Sequence, residues 1–127
     1  MQPIPGTPFT VLVSGEQTDG HAVLLSAGMP PGLRIAAHTH TDEDQITIVI
    51  SGTVSYRLGD ETGVAGPGEV VYLPRNVEHE QWNDGPEFAR VLELYTPPGQ
   101  EQKFIAAGAA AIARGVPFAT EQDYAGL

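Results

Sequence analysis

Glycine and proline cut this chain into short runs, and that punctuation limits the folds open to it more than any other feature. Turn signals recur every 8 to 12 residues, with no helical period between them. The runs are rich in β-branched and aromatic residues: FTVLV (9–13), HAVLLSA (21–27), LRIAAHT (33–39), ITIVIS (46–51), TVSYRL (53–58) and FARVLELYT (88–96). VAGPGEVVYLP (64–74) and EHEQWN (78–83) continue the series. Such a series predicts an all-β fold, an antiparallel sandwich or barrel over about residues 9–98.

After PPGQ the chain changes character. Residues 101–114, EQKFIAAGAAAIAR, are rich in helix formers, and Ile105, Ala109 and Ile112 recur at i, i+4 and i+7. This predicts a short C-terminal helix with that stripe packed on the barrel flank, stopped by Gly115 and Pro117. With no repeat or linker in 127 residues, a single domain over 1–127 is expected.

Sixteen acidic residues against six basic ones give a net charge of −10, and the basic residues form no run. A surface of this sign repels phosphate backbones and anionic lipid, which argues against nucleic-acid or membrane partners. The absence of cysteine excludes disulfides, thiolate metal sites and a cysteine nucleophile. MQPIPGTPF has neither a basic nor an apolar signal region, and no apolar stretch approaches the ~20 residues of a membrane-spanning helix. A cytoplasmic location is the expectation.

Of the four histidines, two stand in HTHTDEDQ (38–45). Strand side chains two apart share a face, so the backbones of His38 and His40 lie about 6.6 Å apart on one side. Two imidazoles so placed can meet one ion, and they can equally form ordinary polar surface. His21 follows TDG at an expected turn and reads as solvated.

The spacing around these histidines is more specific. Gly32, His38, His40, Gln45 and Gly52, followed by Gly68, Pro74, Asn76, His79 and Asn83, closely resemble the two signature motifs of the cupin superfamily, G-x5-H-x-H-x3-4-E-x6-G and G-x5-P-x-G-x2-H-x3-N. TDGHAVLLSAGMPPG and LYTPPGQEQKF further resemble small single-domain cupins of the quercetin-dioxygenase-like group. The resemblance implies an antiparallel β-barrel or jelly roll around one divalent transition metal (Fe, Mn, Ni, Co, Cu or Zn). His38, His40 and His79 would be ligands, with Gln45 in the usual glutamate place. Asn76 replaces a glycine, which is tolerable because asparagine accepts φ > 0. Gln45 is the larger departure, since an amide neither neutralises metal charge nor accepts a proton. Glu43 and Asp44 stand beside it as candidates for that proton transfer or for hydrogen bonds behind the ligands, and Asp44 is an alternative ligand by the shorter spacing.

Four further residues are candidates for the substrate pocket: Arg34, Tyr72, Trp82 and Arg90. Arg34 shares the parity of His38 and His40, which would turn it inward to a substrate carboxylate. The resemblance implies an enzyme acting on a small organic molecule, dioxygenase-like on an enolic or phenolic substrate. Two alternatives stand beside it: a Lewis-acid isomerase, lyase or cyclase acting on, for example, a sugar uronate or polyketide, and a non-catalytic small-molecule or sugar-binding cupin. A homodimer is expected from exposed edge strands and the habit of small cupins.

Overall fold

The structure, a computed structural model, describes residues 1–115. Ten strands come first: β1 (Gln2–Pro3), β2 (Phe9–Val13), β3 (Val23–Met29), β4 (Arg34–His38), β5 (Asp44–Ser51), β6 (Val54–Leu58), β7 (Glu61–Ala65), β8 (Val70–Leu73), β9 (His79–Trp82) and β10 (Ala89–Thr96). Helix α1 (Gln100–Arg114) follows. The strands form two sheets, six strands in the order β1-β2-β3-β10-β5-β8 and four in the order β4-β9-β6-β7. All the pairings are antiparallel. This is the expected jelly roll with a C-terminal helix, although the sheets face one another rather than closing edge to edge. The short edge strand β1 was not foreseen.

Alternation along the strands decides what faces the interior. On β10, Ala89, Val91, Glu93 and Tyr95 are buried, and on β5 the inward residues are Gln45, Thr47 and Val49. Between the sheets the apolar half of the core is built from Val23, Leu25, Met29, Val49, Val54 and Val91. The other half is polar, and it holds the candidate site.

Two turns fix how the motifs meet. Gly52 has φ 75, and a Cβ there would crowd Ala89 and the Phe88 carbonyl, so β5 can turn into β6 only on glycine. Asn76 has φ 67, as its motif position requires, and its N–H donates to the His40 carbonyl at 2.7 Å. That bond ties the second motif to the first.

Helix α1 packs on the barrel by a different stripe from the predicted one. Phe104, Gly108 and Ala111 are buried, whereas Ile105 and Ile112 are 45% and 58% exposed and Ala109 is exposed. Aromatic stacking decides the rotation: the Phe104 ring lies 3.9 Å from that of Phe9, centroid to centroid. Gly108 then abuts the Pro5 carbonyl, where a methyl group would collide. Gly115 ends the helix in the left-handed conformation, as expected, while Pro117 lies outside the described residues. Phe104→Ala should cost about 3–5 kcal/mol in urea unfolding. Ile105→Ala should stay within about 0.5 kcal/mol, and the reverse ranking would restore the predicted stripe.

Candidate metal centre

Three imidazoles converge inside the barrel from separate parts of the chain. His38 ends β4, His40 lies just beyond it, and His79 begins β9 directly opposite His38 in the ladder. Ring centroids are 4.7 Å apart for His38–His40, 4.4 Å for His38–His79 and 5.2 Å for His40–His79. One nitrogen of each ring falls in a group whose members lie within 4.8 Å of one another. Imidazoles at such separations can each reach one central ion.

The hydrogen bonding fits that use. His38 Nδ1 lies 2.7 Å from the Ala36 carbonyl, which fixes the proton on Nδ1 and frees Nε2. Both ring nitrogens of His79, Nε2 of His40 and Oε1 of Gln45 are buried without a hydrogen-bond partner. Buried polar atoms without a protein partner in such number are costly and otherwise rare. Together they form a donor set of three imidazoles and one amide oxygen, which suits a divalent transition metal.

Gln45 is oriented from behind. Its Nε2 donates to Glu93 Oε2 at 2.8 Å, leaving its oxygen unpartnered. Thr47 Oγ1 donates to the same carboxyl oxygen at 2.7 Å, and Gln81 Nε2 donates to Thr47 Oγ1 at 2.9 Å. Glu93 and Gln81 were not singled out in the sequence. The signal was present in ARVLELYT, where the glutamate occupies the face shared by Ala89, Val91 and Tyr95.

The flanking acids take different places. Glu43 is buried with Oε1 2.9 Å from His40 Nδ1, an electrostatic contact rather than an aligned hydrogen bond. Asp44 turns to the rim, where it accepts from the Arg75 backbone N–H at 2.9 Å and pairs with its guanidinium at 3.2 Å. It is therefore not placed to ligate, because Gln45 has the inward parity.

The four pocket candidates are also corrected, since all lie on outer faces. Arg34 pairs with Glu80 at 2.9 Å and sits 4.8 Å over the Trp82 ring, so these two cover each other outside the smaller sheet. The cause is a β-bulge in β4: Ile35 faces Gln81 and His38 faces His79, three residues against two. The extra residue reverses the parity between Arg34 and His38. Tyr72 is 55% exposed on β8, and Arg90 is exposed beside the Phe88 ring. The cavity at the site is lined instead by His38, Gln45, Glu93 and Tyr95, with Gln100 and Phe104 of α1 closing one side. Its volume is ≈ 20 Å³, room for one or two waters.

Burial sets the protonation states. Desolvation, reinforced by the neighbouring rings, pushes His79 down to about 3 and His40 down to about 4. Desolvation also lowers His38, against the support of the Ala36 carbonyl. The rings are thus neutral at pH 7, the form that ligates metals. Burial acts oppositely on the acids, pushing Glu93 up to about 7 and raising Glu43.

These shifts make a signed prediction for the metal-free protein. Between pH 6.5 and 4.5 the unfolded chain protonates histidines that the fold keeps neutral, so histidine stabilisation is lost on acidification. Glu43 and Glu93, protonated earlier in the fold, offset part of this loss. The two strongly lowered rings, His40 and His79, outweigh the single strongly raised carboxyl, Glu93, so stability should fall on acidification through this window. Urea unfolding across this window checks it, and stability that rises toward acid would mean the rings are solvated.

A family model for the cupin domain matches residues 26–95, more than half of the chain. An uncharacterized protein of Streptomyces coelicolor is 36% identical over 56 residues, covering 44% of this chain and 52% of that protein. The chain therefore spans about half the length of the curated relative it matches. Among solved structures, KdgF from a Halomonas species superposes with a TM-score of 0.64 at 19% identity, over 74% of this chain and 81% of that one. A protein described as a predicted oxalate decarboxylase from Thermotoga maritima gives 0.67 at 20% identity, over 71% and 79%. An uncharacterized Klebsiella pneumoniae protein with a double-stranded β-helix domain gives 0.62 at 24%, over 76% and 83%. At such identities the likeness to these structures is one of fold.

Proposed function

The chain belongs to the cupin family, and on that premise we propose that it is a metal-dependent enzyme that moves protons on a small oxygenated organic molecule. The observation that carries this reading is the convergence of three neutral imidazoles, each offering one ring nitrogen to a group whose members lie within 4.8 Å of one another. His38, His40 and His79 would hold a divalent transition metal through nitrogen, with the Gln45 amide oxygen completing the set. Such an ion supplies Lewis acidity toward a carbonyl or hydroxyl oxygen.

The protein's own groups supply the rest. All four proposed donors are neutral, so they withdraw none of the ion's charge and favour polarisation over electron donation. The Glu93 carboxyl lines the cavity and is the group placed to hold a proton taken from a substrate there. Glu43, against His40, keeps that ring oriented. The narrow cavity selects small molecules, or the reactive end of a larger one. The nearest competing reading is an oxygen-dependent reaction on an enol or phenol, favoured by the likeness of residues 18–32 and 94–104 to quercetin-dioxygenase-like cupins.

Purified protein should carry about one transition-metal ion per chain by elemental analysis, and His79→Ala should lose it. Glu93→Ala, which frees the Gln45 amide, should weaken metal affinity by roughly 10–100-fold. In a screen of small hydroxy-carbonyl, enol and catechol compounds, turnover should be equal under argon and under air. Oxygen consumed in step with product would establish the oxygenase instead, and metal-free wild-type protein would remove the enzyme.

A further inference from the structure

Gln100 is the fully buried polar side chain that neither the fold nor the proposed metal set uses. It is 1% exposed, and both its Oε1 and its Nε2 are buried without a hydrogen-bond partner. It stands in the first turn of α1 and lines the cavity that His38, Gln45 and Glu93 also line, with Phe104. It lies on the helix, beyond residues 26–95 that match the cupin model. Burying a whole amide without a protein partner costs stability, whereas an apolar side chain of equal volume would close the helix against the barrel more cheaply. Retention of glutamine at that point indicates a partner that arrives with a ligand.

We propose that Gln100 is a substrate-recognition residue that binds the adjacent hydroxyl and carbonyl of a small hydroxy-carbonyl compound. This inference rests on the proposed function, since the compound's reacting oxygen faces the histidine cluster. The amide dictates the chemistry. Nε2 donates and Oε1 accepts, so both atoms are satisfied together only by a ligand that offers an acceptor and a donor side by side. A carboxylate accepts only, which would leave Oε1 unpaired; a simple ketone does the same. No lysine or arginine lines the cavity among the described residues, and Arg34 and Arg90 lie on outer faces, so the Gln100 amide rather than a guanidinium or ammonium makes the direct contact there. The cavity's ≈ 20 Å³ has room for two water-sized groups, which matches the two oxygens of such an end, and Phe104 forms an apolar wall beside it.

Hydroxyacetone, acetone and acetate serve as probes, with full-length wild-type protein and Gln100→Met compared by ligand titration, side-chain amide NMR, thermal melting and metal analysis. Wild type should bind hydroxyacetone at least about tenfold more tightly than acetone, with the Gln100 amide resonances shifting on hydroxyacetone and on neither acetone nor acetate. Gln100→Met should abolish that preference, keep the wild-type metal content and melt at a higher temperature. Unshifted Gln100 resonances, or a variant that melts lower with the preference intact, would make Gln100 structural and overturn the proposal. The preference surviving in protein without metal would uphold Gln100 and defeat the metal-dependent function. Stoichiometric metal without the preference would do the reverse.

Discussion

The cross-strand pairing of His38 with His79 is the constraint on which the rest of the site depends. It places two imidazoles on adjacent strands of the smaller sheet, 4.4 Å apart by centroid. The Asn76 N–H then pins the backbone of His40 so that a third ring closes the group. A folded chain gains nothing by burying three imidazoles with so few aligned hydrogen bonds to the protein. Their desolvation opposes protonation, and their lone pairs have no donors. Ligation by a cation would turn that cost into binding energy, and it is the compensation that the donor set fits.

Gln45 and Glu93 together explain the missing carboxylate. The negative group expected beside the histidines stands one step behind, on β10, and grips the Gln45 amide at 2.8 Å. A glutamate at position 45 would set two carboxyls at that separation in a buried site, where like charges resist joint ionisation. The amide therefore relays: its N–H group satisfies Glu93 while its oxygen faces the rings. Thr47 and Gln81 extend the network into both sheets, so the orientation of the amide is held by the fold itself.

Much of this was legible in the sequence. Strand runs between turn residues marked most of the β elements to within a few residues, because alternation and glycine placement are local properties. The histidine motifs singled out the three rings that meet, and Asn76 took the positive φ its motif position demands. What escaped were features set by tertiary contact. A one-residue bulge in β4 turned Arg34 outward, and parity arguments assume a ladder without bulges. The rotation of α1 followed the Phe9–Phe104 stack rather than its isoleucines, since the best-packing aromatic outranks a weaker stripe. Gln100 stood in PPGQ just ahead of the expected helix, and only its buried, unpaired amide in the structure draws notice to it.

Paramagnetic NMR of the cobalt(II)-substituted protein tests the central claim most directly. Three histidine ring systems should show large hyperfine shifts, with the Nδ1–H of His38 protected from exchange by the Ala36 carbonyl. Cobalt that binds without shifting the His79 ring, or that shifts only surface histidine His21, would contradict a metal centre built from the two motifs.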